Sequence, residues 1–192
     1  MPFKRIKPTA TFCECGNHCF ANTSLWCVTL VDAEDAWLLK QYKWSASSKG
    51  LDRYFSAYSR TYGKDTRKSA LLHQAVMGHA YPLIDHISRN AHDNRKVNLR
   101  PCNGAQSNWN MRKLSSTYIG KKPTSKFKGV SKDERRKDGK LWRAMMNVND
   151  VRYCTYYGFE SDAGIWYNYH AAHLRGEFAW LNDLTGIEYM HE

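Results

Sequence analysis

The chain contains 192 residues, of which 42% are hydrophobic and 24% are charged, so it is long enough to bury a core as one large domain or two small ones. It has no apolar run of about 18 residues or more, which argues against a transmembrane segment. Its basic N-terminus lacks the apolar stretch of a secretory signal, so we expect an intracellular, cytoplasmic protein without a membrane partner.

The net charge is strongly positive, because 29 lysines and arginines stand against 18 acidic residues, for a formal value of +11. Such an excess favours a polyanionic partner, since each phosphate that a cation neutralises releases a condensed counterion. No basic amphipathic helix stands out in the sequence. Nucleic acid is therefore a better expectation than an anionic membrane surface.

Four cysteines, with His18 among them, crowd the start of the chain: Cys13, Cys15, Cys19 and Cys27. Thiolates and imidazoles are zinc ligands, so this group could hold a structural zinc ion. The irregular spacing lacks paired Cys-x-x-Cys units, and the alternative is a set of reduced, partly buried cysteines. Residues 1–66 are interpreted as an N-terminal supporting region.

Short regular elements are predicted in and just after this region. A strand is expected at Val28–Val31, and Asp32 is placed to cap the helix after it. A second strand is expected at Tyr54–Tyr58 and a short helix at Leu71–Val76. A histidine such as His73 on that helix is more often a core residue than a ligand.

The most informative stretch begins at Asp85-His86. A carboxylate is a good ligand for a hard divalent cation, and an imidazole accepts protons near neutral pH, so the pair suits metal-assisted hydrolysis. Successive side chains of a strand point to opposite faces, so the strand must end and turn here for both to reach one centre. Further polar groups are present at Asp93-Asn94-Arg95, Asn98-Leu99-Arg100 and Gln106-Ser107-Asn108-Trp109-Asn110.

Together with Leu72-His73, these spaced positions resemble the HNH family of metal-dependent nucleases, in particular the homing endonucleases of phages and introns. The resemblance implies a nuclease core at residues 67–114, in which a β-hairpin and a helix surround one divalent cation, magnesium or manganese. It also implies that Asp85 ligates the metal and that His86 is the general base. Asn98 would hold the loop and orient His86 through a hydrogen bond.

The closing helix departs from the family pattern. The family carries asparagine at the position of Ser107, and Asn108 is one residue further on, which is about 100° around a helix. Three interpretations stay open. The helix starts one residue later and Asn108 ligates the metal, or Ser107 ligates more weakly, or the site is impaired.

Residues 115–125 are mostly polar and contain Gly120 and Pro123, which is typical of a linker. Three strands with turn signals between them are predicted next, at Phe127–Val130, Leu141–Val148 and Arg152–Phe159. Alternation gives the middle strand one apolar face. A helix that Ser161 caps and that ends near Gly176 should cover this face and leave the other one free.

The motifs Lys128-Gly129-Val130, Trp142-Arg143-Ala144 and Gly176-Glu177-Phe178-Ala179 make residues 126–182 resemble the plant ethylene-response-factor (APETALA-type) DNA-binding domain. In that family a three-stranded antiparallel sheet lies in the major groove and one helix packs behind it. The resemblance implies that Lys128 and Arg143, and then Arg152, face the DNA. The basic residues expected on phosphates are Lys126, Lys132, Arg135 and Arg136. Residues 183–192 would form a tail.

The sequence therefore predicts an α+β protein, with a ββα-metal (HNH) nuclease core and a three-stranded antiparallel sheet packed on one helix. The predicted function is cleavage of double-stranded DNA at a preferred site by a phage or mobile-element homing enzyme, acting in the cytoplasm of an infected bacterium. One alternative is a non-catalytic DNA-binding protein with a degenerate HNH scaffold. A remoter one is an RNA-directed or structural protein, which only the generic charge favours.

Overall fold

The structure is a computed structural model that describes residues 10–22, 28–41, 44–49, 54–62, 67–113 and 122–186. The fold is α+β, as predicted, and the chain divides into two compact units, Met1–Gly104 and Ala105–Glu192. Each unit has buried apolar clusters of its own. Within the described residues, every helix falls short of the length and apolar character needed to cross a membrane.

The first unit begins with an antiparallel sheet of β1 (Ala10–Phe12), β2 (His18–Asn22) and β3 (Val28–Asp32). β3 confirms the strand predicted there. The sequence does not predict β1 and β2, because the segment around the cysteines has few of the β-branched residues that favour strands. Alternation along β2 nevertheless buries the side chains of Cys19 and Ala21 in the core.

A short 3-10 helix, Ala33–Asp35, leads from β3 into α1 (Ala36–Gln41). Asp32 occupies the N-cap position of this turn, as predicted, but its side chain makes no capping hydrogen bond there. Its Oδ2 instead accepts a hydrogen bond of 2.8 Å from the backbone N–H of Lys96. The carboxylate therefore joins β3 to a distant part of the chain rather than closing its own helix.

A second antiparallel sheet contains β4 (Trp44–Lys49), β5 (Tyr54–Tyr62) and β6 (Arg67–Leu71), and α2 (Leu72–Val76) comes directly after it. β5 and α2 confirm the elements predicted at these positions. The core of the first unit collects side chains from both sheets and both helices, including Cys19, Val31, Leu38, Leu39, Trp44 and Leu72.

The first unit ends in a two-stranded antiparallel hairpin of β7 (Ile84–His86) and β8 (Leu99–Pro101). The loop between them closes with a 3-10 turn at Lys96–Asn98. A parallel bridge between Leu30 and Asp93 attaches this loop to β3. The first sheet and the hairpin loop are thus parts of one folded unit.

Next in the chain is α3 (Gly104–Asn110), so the local order is strand, strand, helix. Its residues from Ala105 onward belong to the second unit. There Trp109 packs against the buried side chains of the second unit. Most of the helix expected to close the nuclease core therefore belongs to the second unit.

The second unit is a three-stranded antiparallel sheet covered by one helix. The strands are β9 (Val130–Lys132), β10 (Trp142–Val148) and β11 (Val151–Tyr157), with β10 in the centre, and the helix is α4 (Glu160–Arg175), followed by a 3-10 turn at Gly176–Phe178. Asn149 and Asp150 connect β10 to β11 with φ angles of 48° and 63°, as a two-residue hairpin turn requires.

Several boundaries differ from those predicted. The first strand starts at Val130, and Phe127 is a buried core residue ahead of it. α4 starts at Glu160 without a side-chain cap, so Ser161 lies inside the helix. Ser125 of the predicted linker is buried, and its hydroxyl donates to Glu160 Oε1 at 2.6 Å. Residues 114–121 of that region lie outside the described part of the chain.

Gly129 has a steric role in this unit. Its φ is +74°, and a Cβ built on it would lie 2.1 Å from the ring of Tyr167 and 2.8 Å from the carbonyl oxygen of Met145. No other residue type could occupy this point without displacing the ring. The glycine of the Lys-Gly-Val motif thus allows the chain to cross the buried Tyr167 of α4.

Candidate functional site

β7 ends at His86, so the Asp85-His86 pair lies where the hairpin loop begins. Asp85 lies opposite Arg100 in the β7–β8 register. Arg100 donates to Asp85 Oδ2 from Nε at 3.0 Å and from Nη2 at 2.8 Å. Both side chains are about nine-tenths buried, so this charge-assisted contact is protected from solvent. The guanidinium balances the charge of the carboxylate.

The side-chain amide of Asn94 holds the imidazole of His86. His86 Nε2 lies 3.2 Å from Asn94 Oδ1. Asn94 Nδ2 donates to Thr29 Oγ1 at 2.9 Å and to the carbonyl of Ala91 at 3.2 Å, which fixes the amide with its oxygen towards the ring. Nε2 must then be the protonated nitrogen, and the neutral ring carries its lone pair on Nδ1.

Asn98 holds the loop, as the family resemblance implies. Its Oδ1 accepts a 2.8 Å hydrogen bond from the backbone N–H of Ser88, and its Nδ2 donates to the carbonyl of Asp93 at 2.7 Å. The side chain is buried. That Asn98 also orients His86 stays a prediction, because the amide that contacts the ring here is that of Asn94.

The Asp93-Arg95 pair stiffens the same loop. Arg95 donates from Nε to Asp93 Oδ1 at 2.8 Å and from Nη2 to Oδ2 at 2.7 Å. Burial would raise the pKa of Asp93, but the hydrogen bonds from Arg95 outweigh it, so the pKa is lowered. Asp93 is therefore held as a carboxylate, and the loop residue next to it, Asn94, keeps its position.

His73 approaches the ring of His86 from α2. Its ring centroid is 5.3 Å from that of His86, and the two ring planes meet at 81°. Burial, and then the neighbouring His86, lower the pKa of His73 to about 4. Burial also lowers the pKa of His86, although the hydrogen bond with Asn94 and the charge of Asp85 act in the opposite direction. Both rings are therefore neutral at pH 7.

The sequence alone assigns no role to Asn94, Arg100 or Thr29, and it favours an ordinary core histidine at His73. Asn94 and Arg100 stand inside the HNH-like motif, so their spacing is the available signal. His73 stands in the Leu72-His73 pair of the same motif. Thr29 carries no local signal, since only the folded first unit brings it to the hairpin loop.

A divalent cation fits this centre only in part. Mg²⁺ commonly binds through one or two carboxylates and takes its other ligands from water and substrate phosphates, so the single carboxylate of Asp85 is an adequate anchor. The Arg100 guanidinium on Oδ2 competes for the same negative charge. Asp85 would thus have to be shared between the guanidinium and the ion.

Ser107 and Asn108, the other expected ligands, lie on α3 within the second unit. Because α3 already begins at Gly104, both residues are inside the helix and point about 100° apart. Ser107 is half-buried and Asn108 is exposed. Their roles as ligands stay predictions.

A different group could hold a metal ion. The ligand atoms of Cys13, Cys15 and His18 all lie within 4.8 Å of one another, and in the described part of the chain this is the one such cluster of three histidine, cysteine or carboxylate ligands. Cys19 is fully buried in the core of the first unit, so it is not part of the group. Cys27 lies outside the described residues.

The second unit presents a sheet face away from its helix. Ala144, Met146 and Val148 of β10 are buried on the side that α4 covers, as the alternation predicts. The intervening residues of β10 and their cross-strand partners form the opposite side, which we call the open face: Ser131, Arg143, Met145, Asn147, Arg152, Cys154 and Tyr156.

Two of the predicted DNA contacts lie on the open face. Arg152 is exposed, and Arg143 donates from Nε to Ser131 Oγ at 3.3 Å. The guanidinium carbon of Arg136 is 4.0 Å from the ring centroid of Tyr156, so a cation stacks on the same face. The sequence does not predict this aromatic partner.

Lys128 does not lie where the resemblance placed it. Its ammonium donates to the carbonyl oxygens of Asn108 at 3.2 Å, Trp109 at 2.9 Å and Met111. A cation at the last carbonyls of a helix is a stabilising cap, so Lys128 is engaged at the end of α3 within its own unit. Lys128 is therefore removed from the leading DNA contacts.

The remaining basic candidates are on the surface of the second unit. Lys126, Lys132 and Arg135 are exposed, and the last two form ion pairs with Glu134 and Asp133. Ion pairs on the surface contribute little to stability, so they leave these side chains able to exchange partners. A phosphate role for them stays a prediction.

No protein-family model, curated protein or solved structure matches this chain. An assignment of function therefore depends on the hairpin, the cysteine cluster and the open face themselves.

Proposed function

We propose that the protein is a metal-dependent endonuclease of the HNH type that cuts double-stranded DNA at a preferred site. The observation that carries the proposal is the hydrogen bond between His86 Nε2 and Asn94 Oδ1. It gives an imidazole with a fixed tautomer and orientation, next in sequence to the Asp85 carboxylate. A general base needs these two properties together with a pKa near or below working pH.

In this proposal His86 Nδ1 takes the proton from the water that attacks the scissile phosphorus, and the bond to the 3′ oxygen breaks. Burial lowers the pKa of His86, which keeps the ring ready to accept that proton at pH 7. Asp85 would hold the cation. A bound Mg²⁺ or Mn²⁺ would stabilise the charge on the transferring phosphate and on the leaving oxygen.

DNA recognition is assigned to the open face. Its arginines, Arg143 and Arg152, can each form two hydrogen bonds with guanine, a contact worth about 1–3 kcal/mol of discrimination. The net charge of +11 supplies affinity for phosphates over the whole molecule. The second unit would thus select the site, and the hairpin of the first unit would cut.

The test is nicking of supercoiled plasmids that carry host-genome fragments, with Mg²⁺ or with a chelator. Wild-type protein should nick only with the metal ion. His86→Ala should lose nicking and keep its affinity for duplex DNA. His173→Ala, which changes an exposed histidine on α4, is the matched control and should retain both. Nicking by His86→Ala at the wild-type rate would remove His86 as the base.

A non-catalytic DNA-binding protein is the second candidate. The Arg100–Asp85 ion pair and the serine at position 107 favour it, since both weaken the metal centre. Tight duplex binding without metal-dependent nicking of any host-genome fragment would support this candidate. Competition between duplex DNA and RNA at physiological salt tests the RNA-directed alternative.

A further inference from the structure

The turn between β1 and β2 places two thiols and an imidazole at coordination distance. The ligand atoms of Cys13, Cys15 and His18 lie within 4.8 Å of one another, and Cys15 Sγ is 3.5 Å from His18 Nδ1. In a tetrahedral zinc site, with Zn–S near 2.3 Å and Zn–N near 2.05 Å, sulfur and nitrogen are about 3.6 Å apart. The distance between Cys15 and His18 is therefore close to that between two ligands of one tetrahedral zinc ion, and Cys15 Sγ is also 3.6 Å from the other ring nitrogen, Nε2.

The backbone holds this arrangement in place. Cys13 donates its N–H to the carbonyl of His18, and Gly16 donates to the carbonyl of Cys13, both at 2.9 Å. Gly16 has a φ of 73°, which lets the chain reverse between the two cysteines and the histidine. The carbonyl of Asn17 accepts a 3.0 Å bond from Ala33, which fastens the turn to the end of β3.

Hydrogen-bond donors surround the Cys15 sulfur. They are the backbone N–H groups of Asn17 and His18 and the Cys13 thiol. The thiolate is the form that binds zinc, and backbone N–H groups directed at a ligating sulfur stabilise it. Cys19 is the opposite case, because its side chain is fully buried and faces the core.

We propose that the β1–β2 turn is a zinc site whose protein ligands are Cys13, Cys15 and His18, with a fourth position for water or another donor. Thiolate ligands select zinc over magnesium, so this ion is distinct from the one proposed for the hairpin. The bound zinc would fix the edge of the sheet whose third strand carries Thr29, the residue that bonds Asn94.

The test is metal binding by the full-length protein, kept reduced with a phosphine and stripped of metal. Titration with Co²⁺ should produce thiolate-to-cobalt charge-transfer absorption that saturates at one ion per chain and disappears when Zn²⁺ is added. Cys15→Ser and His18→Ala should lose it. Cys154→Ser, which changes an exposed cysteine on β11, is the matched control and should bind as wild type does.

His18→Cys keeps the proposal testable if the other variants unfold, because three thiolates should still bind the ion. Circular dichroism shows which variants are folded, and Zn²⁺ should raise the melting temperature of every variant that binds. No bound ion in wild type, equal binding by folded Cys15→Ser, or no binding by folded His18→Cys would overturn the proposal. The readout is independent of DNA cleavage, so the nuclease proposal can fail without affecting it.

Discussion

Asn94 shows how one buried side chain can serve both the fold and the chemistry. Its amide is 1% exposed and contacts His86 on one side and Thr29 on the other, although Thr29 is 65 residues away in the sequence. Leaving buried donors and acceptors without partners costs about 1–3 kcal/mol each. The same amide that ties β3 to the loop therefore also determines which nitrogen of His86 carries the proton.

Asn94→Ala should lower the free energy of unfolding by about 1–3 kcal/mol, as measured by urea denaturation. It should also slow nicking by protein that is still folded. Because the bond with Asn94 raises the pKa of His86, its removal should move the acid limb of the nicking rate to lower pH. Val97→Ala, in the same loop and 77% exposed, should change little. An unaltered rate and pH profile would contradict a positioning role.

His73 makes the first unit sensitive to acid. Burial lowers its pKa from the ordinary value of 6.5 to about 4, so protonation favours the unfolded chain. The contribution of the neutral His73 ring to the free energy of unfolding is present in full above pH 6.5. It is lost as the pH falls towards 4, and the total loss is roughly 3 kcal/mol. His73→Gln should therefore lose less stability than wild type between pH 7 and pH 4.5.

Urea unfolding at the two pH values measures this effect. His79→Asn is the control, because His79 is exposed and asparagine tolerates its φ of 55°. If His73→Gln lost as much unfolding free energy between pH 7 and pH 4.5 as wild type does, another group would cause the acid sensitivity.

At the level of elements, the features that the sequence predicts well depend on neighbours in the chain. The buried side of β10, with Ala144, Met146 and Val148, results from a two-residue period, and the end of α4 results from Gly176, whose φ is 53°. The strand β3 and the helix α2 are predicted for the same reason. Local periodicity and turn residues are enough to locate such elements.

The features that the sequence does not predict depend on distant partners. The carboxylate of Asp32 has the correct position for a helix cap. It instead accepts a hydrogen bond from the backbone N–H of Lys96, which is 64 residues away in the sequence. Lys128 has the charge of a DNA contact, and the end of α3 binds its ammonium. In both residues the type of interaction is predictable from the side chain, whereas the partner is known only from the fold.

Gly129 permits a prediction about the second sheet. Gly129→Ala should destabilise the second unit by about 1–3 kcal/mol more than Gly139→Ala, because its methyl group would overlap the ring of Tyr167. Gly139 is the matched control, since its φ of 78° imposes the same backbone strain and a Cβ placed on it would have nothing within 4 Å. Thermal unfolding measures the difference. Equal destabilisation would mean that the ring moves aside at no cost.

For the whole molecule, the proposed DNA binding depends on the excess of positive charge. The net charge of +11 predicts DNA affinity that falls steeply with salt. Acidic side chains pair with Arg95, Lys96 and Arg100 in the first unit and with Lys132, Arg135 and Arg136 in the second. The open face of the second unit is where we expect cations to meet phosphates and bases.

Arg152→Gln should weaken duplex binding and reduce the slope of log affinity against log salt by about 0.9 if the side chain contacts one phosphate. Lys40→Gln, on the exposed side of α1 in the first unit, removes the same charge and should leave the slope nearly unchanged. Fluorescence anisotropy over a salt series measures both. A slope for Arg152→Gln equal to that of wild type would contradict a phosphate contact by Arg152 on the open face.

The bridge between β3 and the hairpin loop has a consequence for the order in which the chain is made. Leu30 donates to the carbonyl of His92 and accepts from the N–H of Asn94, both at 2.8 Å, so the loop is seated on a strand that leaves the ribosome first. A fragment of residues 67–104 would contain His86 and every loop residue around it, yet lack this template. A fragment that keeps this hairpin loop folded must therefore begin upstream of β3.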